Sequence, residues 1–449
     1  MNTQKKTISK YKLNNSVIIR VEKDTYLIYD RKSKKLLESD IDPNAYLEDW
    51  NNLETDDTTA IKILIDNELV SKISSANSAN SANSVNLEDK FIVDDSDGIS
   101  FMSLRSEINP FWILWEITPK CNLRCIYCLP KHKGTEQEIL ENKHELTTNE
   151  LLNIASQIVD AQVFDVTITG GEALLSPSLW PVLEFLNKNG VQCNLLSNGT
   201  IINDNLAQKL STYQITVSVS IDSNKEEINA ITRGDNVLER TIRGIDCLKK
   251  YNVPVNIICT VNKYNFDYLE ELFSWSKSYG IDKMVLQDLR PFKDSELYNS
   301  LRLTLSQEGK LRDKLESLTN QYKTYLSSTC ELGIFHHRLQ PIENQKVMDC
   351  PSGDHTAYLD HAGNLYPCNS LISFLMGNVL KENITYLWQK SPAIIKLRKL
   401  KNQDVSTIHS CSGCPSTDVC GRGCRGDAEL TDGDFLGRPS RCSQKMNEL

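Results

Sequence analysis

The chain has 449 residues, which at roughly 100 to 200 residues per domain excludes a single small module. Apolar residues make up 40% and charged residues 24%, enough for a sizeable packed core and too apolar for wholesale disorder. Fifty Lys and Arg against fifty-nine Asp and Glu leave a net charge of -9, which excludes strong non-specific binding to nucleic acid, a process that needs a basic surface.

The N-terminal MNTQKKTISKYKLNN is basic with no apolar stretch behind it, so neither a secretory signal nor a membrane span is expected and the predicted location is cytoplasmic. Residues 11–73 read as a separate unit. Val17 to Val21, Thr25 to Tyr29 and Lys35 to Leu37 are β-rich runs, and Ile61, Leu64, Ile65 and Leu69 share one face of a helix expected from Thr58 to Val70. Residues 74–100 open with SAN triplets that lack apolar periodicity and continue in an acidic run, the composition of a flexible tether.

From 108 to 290 the pattern alternates strand and helix. Strands are expected at Trp112 to Thr118, Val163 to Thr169, Val191 to Leu196, Ile215 to Ile221, Val255 to Val261 and Lys283 to Leu286. Thr147 and Glu150 form a capping box for the first helix, and Val237 to Lys250 and Tyr268 to Ser278 are clearly amphipathic. Six such units imply an α/β fold with a parallel sheet, curled or open, and chemistry at the C-terminal ends of its strands. Residues 291–348 form a polar, helical bridge. The cysteine-rich 349–449 reads as a further domain held by metal more than by a core.

Fourteen cysteines are many for a reducing compartment, where disulfides rarely persist, and ten fall in spaced groups that point to metal binding. Cys121, Cys125 and Cys128, in CNLRCIYC just after the first strand of the alternating region, can hold three irons of a cubane and leave the fourth open. In TGGEALL, Gly170 and Gly171 allow close backbone approach to a ligand, and Glu172 can accept from an ammonium. Ser220 in SIDS and Arg233 follow, the latter able to grip a carboxylate, while Asn198 in LLSNGT suits a turn as well as a ligand. Near the C-terminus stand Cys350, Gly363 and Cys368, then Cys411, Cys414, Cys420, Cys424 and Cys442, a spacing that taken bare also suits structural zinc.

The triad, with Tyr127 before its last cysteine, resembles the radical S-adenosylmethionine (SAM) superfamily, whose partial (β/α)6 TIM-like barrel carries such cysteines after strand one. The C-terminal spacing resembles the SPASM domain, which holds two auxiliary 4Fe-4S clusters. The resemblance implies a SAM-binding cluster on Cys121, Cys125 and Cys128, and a SAM site bordered by Gly170, Gly171, Glu172, Asn198, Ser220 and Arg233. It also implies one auxiliary cluster on Cys350, Cys368 and Cys424 and another on Cys411, Cys414, Cys420 and Cys442, three 4Fe-4S clusters in all. The fourth ligand of the former is substrate, another side chain or Cys330. Cys193, Cys247 and Cys259 read as core residues.

Family members of this kind act mostly on peptides. The N-terminal unit resembles the winged-helix-like recognition element of enzymes that mature ribosomal natural products (RiPPs), where a leader peptide adds to the third strand. The implied function is maturation of a precursor peptide by hydrogen abstraction and closure of a carbon-carbon, ether or thioether crosslink, darobactin-type enzymes being one such case. A flavodoxin or ferredoxin is the implied electron donor. Peptide epimerization is the alternative. Asn369 stands where sulfatase-type maturases carry an acid, which disfavours that chemistry, and an iron-sulfur scaffold protein would have no use for a SAM site. No catalytic base is assigned; His336, His337, His355, Asp354 and Asp360 are titratable groups expected at the surface or in turns.

Overall fold

A computed structural model of the chain describes residues 106–128, 145–321, 350–403, 408, 411–414 and 423–442, apart from 107, 293 and 441, together with the backbone of six strands before residue 106. Two compact units divide it, residues 1–101 and 102–449. In the first, β1 (Lys10–Leu13), β2 (Val17–Glu22), β3 (Thr25–Asp30), β4 (Lys35–Ser39), β5 (Val70–Ile73) and β6 (Ile92–Val93) follow in chain order. The three strands read from the sequence are present as an antiparallel β2-β3-β4 meander. The expected helix lies outside the described residues except for Val70, which instead opens β5 and pairs with Leu13 of β1. Propensity missed both strands because KYKL and VSKI become strands only through each other, some sixty residues apart in the chain.

A second difference concerns the tether. Within its acidic part, Ile92 and Val93 pair antiparallel with Glu38 and Leu37, so β6 extends the sheet to the order β2-β3-β4-β6. The outer edge of β4, expected to be open, is occupied over two residues by the chain itself.

In the second unit, β7 (Trp112–Glu116), β8 (Asp165–Thr169), β9 (Gln192–Ser197), β10 (Ile215–Ser220), β11 (Val255–Val261) and β12 (Lys283–Asp288) are parallel and neighbour one another in sequence order. Between them run α1 (Thr148–Asp160), α2 (Leu179–Lys188), α3 (Asp204–Leu210), α4 (Glu226–Arg233), α5 (Val237–Lys250) and α6 (Leu269–Ser278). The capping box of α1 forms as read, with the Thr147 hydroxyl accepting from Glu150 N–H and the Glu150 carboxylate accepting from Thr147 N–H.

Every strand alternates, and the alternation separates two faces. Ile113, Trp115, Val166, Ile168, Cys193, Leu195, Val217, Val219, Ile257, Cys259, Met284 and Leu286 are fully buried in one core with Leu151, Ile154, Val182, Leu186, Ile245, Leu248, Leu272 and Phe273 of the helices. In register between them lie Glu116, Thr167, Asn194, Thr216, Ser218, Asn256 and Gln287, which make the opposite face the more polar one although Leu114, Leu196, Ile258 and Val285 share it. Cys193 and Cys259 are thus core residues, and Cys247 packs against the core half-buried. Among the described residues no helix is long and apolar enough to cross a membrane.

Past β12 come α7 (Ser295–Leu301) and α8 (Leu305–Gln321), then β13 (Thr356–Leu359), β14 (Asn364–Tyr366), β15 (Gly377–Asn378), α9 (Ile384–Lys390), α10 (Pro392–Lys401) and α11 (Arg425–Asp432). The expectation of a C-terminal domain without much core is corrected here. β13 pairs in parallel with β7, and Ala357, Leu359, Leu365, Phe374, Leu387, Trp388 and Leu397 continue the main core. The alternation is short and broken by turns, so its apolar residues carry no visible period until β7 supplies a partner strand.

One buried ion pair anchors this segment. The Lys401 ammonium, 1% exposed, donates to Asp354 at 2.5 Å, to Ser352 O at 2.9 Å and to Cys350 O. Lys401→Ala removes the buried ammonium from Asp354 and from the Ser352 and Cys350 carbonyls, and denaturant melts of the variant are expected to show a loss of about 3–5 kcal/mol.

Candidate functional site

Three loops at the C-terminal ends of neighbouring strands are tied to the Cys121–Cys128 loop that follows β7. The first tie explains the paired glycines. Gly171 N–H donates to Thr118 O at 2.8 Å and Glu172 N–H to Lys120 O at 2.7 Å, so the loop after β8 lies flat on the cysteine loop. A Cβ on Gly170 would sit 2.6 Å from Thr118 O, and one on Gly171 2.4 Å from Lys120 O. Only glycine permits that approach.

The second tie runs through Asn198, which follows β9. Its amide donates to Asn122 Oδ1 at 2.8 Å, its carbonyl oxygen accepts from Thr200 N–H and hydroxyl, and Asn122 donates to Thr200 in turn. Glu172 joins the same corner. It is 1% exposed and accepts from Leu174 N–H, the Ser197 hydroxyl at 2.9 Å and Asn198 N–H at 2.8 Å. Burial raises its carboxyl above the usual range, although these three donors pull it down.

The third tie was not legible in the sequence. Arg233, at the end of α4 and 6% exposed, donates to the Tyr127 phenol at 2.8 Å, and Tyr127 donates to Asp222 at 2.7 Å. Asp222 also accepts from the Thr232 hydroxyl and Thr260 N–H, and Ile126 N–H donates to Thr232 O. Burial opposes charge on Arg233, but the fields of Tyr127, Asp222 and Cys125 outweigh it and hold the guanidinium charged. Its Nε is buried without a partner. Such an orphaned donor on a permanent cation fits an anionic ligand group such as the SAM carboxylate. Ser220 lies half-buried at the end of β10 on the polar face.

The cysteines themselves fit cluster ligation. Leu123 N–H donates to Cys121 Sγ at 3.3 Å, Ser370 N–H to Cys368 Sγ at 3.4 Å and Asp427 N–H to Cys424 Sγ at 3.4 Å, bonds that favour a thiolate. Burial raises the Cys121 thiol, and burial pushes Cys424 up to about 11 although Arg290 draws it down. Among the described residues no three such side chains converge on a point that holds a single ion. A cubane spreads its ligands over separate irons and does not ask for that convergence.

Cys350 and Cys368 both lie within electrostatic reach of Cys424. Cys411 and Cys414 share a turn, and Cys442 follows the buried Ser440, whose hydroxyl donates to Asp427. Gly363 has φ +82°, the left-handed turn between β13 and β14 that its place before Cys368 requires. Cys330, Cys420, His336 and His337 lie outside the described residues.

The remaining titratable residues have structural partners. Asp354 holds Lys401, and His355 is buried and stacked on Phe111 at 6.3 Å. Asp360 closes the β13–β14 turn by accepting from Ala362 N–H, Asn364 N–H and the Asn364 amide.

Comparison with known proteins agrees with this geometry. Residues 115–276 match the radical SAM superfamily and residues 350–415 the SPASM iron-sulfur cluster-binding domain. Mycofactocin maturase MftC of Mycobacterium ulcerans is 26% identical over 345 residues, 75% of this chain and 88% of its own. An AdoMet-dependent heme synthase of Methanosarcina barkeri is 25% identical over 351 residues, 74% and 96% of the two chains. In fold, SuiB of Streptococcus suis, solved with S-adenosylmethionine, superposes with TM-score 0.66 at 14% identity over 96% of this chain and 99% of its own. The polar strand ends that gather Cys121, Gly171, Asn198 and Arg233 therefore belong to a radical SAM domain, and the chain carries it together with a SPASM domain.

Proposed function

We propose that the chain is a radical SAM enzyme that modifies a ribosomally made precursor peptide by removing a side-chain hydrogen and closing an intramolecular crosslink. One observation carries the peptide reading: the likeness to SuiB takes in 96% of this chain, N-terminal unit included, and holds at TM-score 0.65 for SuiB bound to its precursor peptide SuiA. MftC, a maturase by name, supports it in sequence.

In this reading Cys121, Cys125 and Cys128 hold the cluster that binds SAM, with Gly170, Gly171, Glu172, Asn198, Ser220 and Arg233 bordering it. Cys350, Cys368 and Cys424 hold one auxiliary cluster, and Cys411, Cys414, Cys420 and Cys442 another, with a flavodoxin or ferredoxin as electron donor. Bound there on a reduced cluster, SAM would supply the chemistry that removes a hydrogen atom from the substrate. The chain's own part is position. Arg233 anchors one end of the ligand, and Gly171 and Glu172 are bonded to the backbone of Thr118 and Lys120, so the ligand-bearing segments are fixed against each other and the substrate carbon is held where transfer is possible.

Mass spectrometry of a precursor peptide after anaerobic reaction tests the proposal. A product two hydrogens lighter, with one 5′-deoxyadenosine per bond, is expected. A product of unchanged mass in ordinary water that gains one mass unit at an α-carbon in deuterated water would identify an epimerase.

Residues 11–73 are proposed as the leader-binding unit and 74–100 as its tether, with the leader taking the edge of β4 that β6 occupies. Strand addition relies on main-chain donors. Glu38→Pro, which removes one, is expected to weaken peptide binding at least tenfold by fluorescence anisotropy, while Glu38→Gln leaves it unchanged.

A further inference from the structure

Beyond β12 the chain carries a cation that the ligand sets above leave unused. Arg290 stands two residues past the end of β12, the last strand of the parallel set, and so on the rim of strand ends that also bears the Cys121 loop. Pro291 follows it and disfavours helical backbone there, and α7 starts only at Ser295.

The residues flanking Arg290 are fixed from two sides. Leu289, Phe292, Tyr298 and Leu301 are buried together, and Ile126 and Tyr127 of the cysteine loop pack against them. On the other side the Tyr298 phenol lies 2.8 Å from the Ser440 hydroxyl, which donates to Asp427 at 2.8 Å. Asp427 N–H in turn donates to Cys424 Sγ at 3.4 Å. A continuous set of contacts thus leads from the Cys121 loop, through the neighbours of Arg290, to the N-terminus of α11.

Arg290 itself is half-buried among anionic groups. It lies in the fields of the Cys424 and Cys368 thiols and of the Asp288 and Asp427 carboxylates, which are 8% and 6% exposed. Burial opposes its charge, but these four groups outweigh burial and hold the guanidinium charged. Two other buried cations of the segment are committed elsewhere. Lys401 is held by Asp354 and by two carbonyls, and Arg425 donates to Phe435 O and Gly437 O. The strongest cationic field on the Cys424 thiol is that of Arg290.

We infer that Arg290 is the counter-charge of the auxiliary site formed by Cys350, Cys368 and Cys424, and that it raises the reduction potential of the four-iron cluster held there. The inference rests on that ligand set, proposed above. Local charge is one of the properties that tune such clusters, and a fixed cation stabilises the form that carries one more electron. Asp288 and Asp427 act in the opposite sense, so neutralising Arg290 leaves the thiolates facing two carboxylates. Arg290 is in this role a positioning residue, acting on the site through its field.

The test is a redox titration with dithionite of the full chain after anaerobic cluster assembly, followed by electron paramagnetic resonance. The auxiliary signal is identified by its loss in Cys368→Ala. At the potential where half of this cluster is reduced in the wild type, Arg290→Gln is expected to lower the reduced-to-oxidised ratio by at least about tenfold, which is about 59 mV for one electron. Iron content should be unchanged. Arg290→Lys keeps the charge and should keep the wild-type ratio. Where Arg290→Gln fails to hold its iron, Arg290→Lys with wild-type iron and potential supports the assignment, because charge alone then restores the site. An unmoved potential in Arg290→Gln, equal shifts in both variants, or iron lost from both overturns it. A wild type without the auxiliary signal overturns the ligand set, and this assignment with it.

Discussion

Replacing Cys121, Cys125 and Cys128 together by Ala is expected to abolish SAM cleavage and to reduce bound iron from about twelve to about eight atoms per chain. Both numbers follow from the proposal of three four-iron clusters. The effect should be confined because the triad hangs on backbone ties. Thr118 O and Lys120 O receive Gly171 and Glu172, and Asn122 is held by Asn198, none of which needs a thiol. The C-terminal cysteines sit on other supports, such as the α11 N-terminus at Cys424 and the Lys401 ammonium on Cys350 O. Iron analysis and electron paramagnetic resonance of the reduced protein check this. A variant with no iron, or zinc in place of iron in the wild type, would refute the three-cluster proposal.

Gly171→Ala should be nearly as damaging with all cysteines intact. The new Cβ would stand 2.4 Å from Lys120 O and 2.8 Å from the Cys121 Cβ, and backbone cannot swing aside as a flexible side chain can. Either the Glu172–Lys120 hydrogen bond breaks or the cysteine loop shifts, and a displacement near 1 Å can cost on the order of a hundredfold in rate. SAM affinity and turnover are expected to fall by at least that factor, with a stability loss of about 1–3 kcal/mol from overpacking. Gly309→Ala is the control. Nothing lies within 4 Å of its Cβ, it is within α8, and helix propensity alone should make it neutral or up to about 1 kcal/mol stabilising.

Much of the parallel sheet was legible because each strand repeats with period two and each helix with a longer period, both local properties. The helix Val237–Lys250 and the capping box at Thr147 needed no knowledge of distant residues. β1, β5 and β6 were missed for the opposite reason: KYKL, VSKI and the pair Ile92–Val93 carry little strand preference and are fixed by partners far along the chain.

The site divides in the same way. Cysteine spacing and the GGE triplet are contiguous signals, and they led to the loops that the structure gathers at the ends of β7 and β8. No spacing could have paired Tyr127 with Asp222 and Arg233, which are 95 and 106 residues away, or His361 with Glu116 across 245. The sequence by itself determined the class of chemistry, since the radical SAM and SPASM signatures are contiguous stretches whose cysteine spacing is a local property. Only the tertiary structure decided which carboxylate faces which imidazole. Strand pairing of β13 with β7 brings Tyr358 and His361 to Glu116, and burial of that carboxylate makes its two partners necessary.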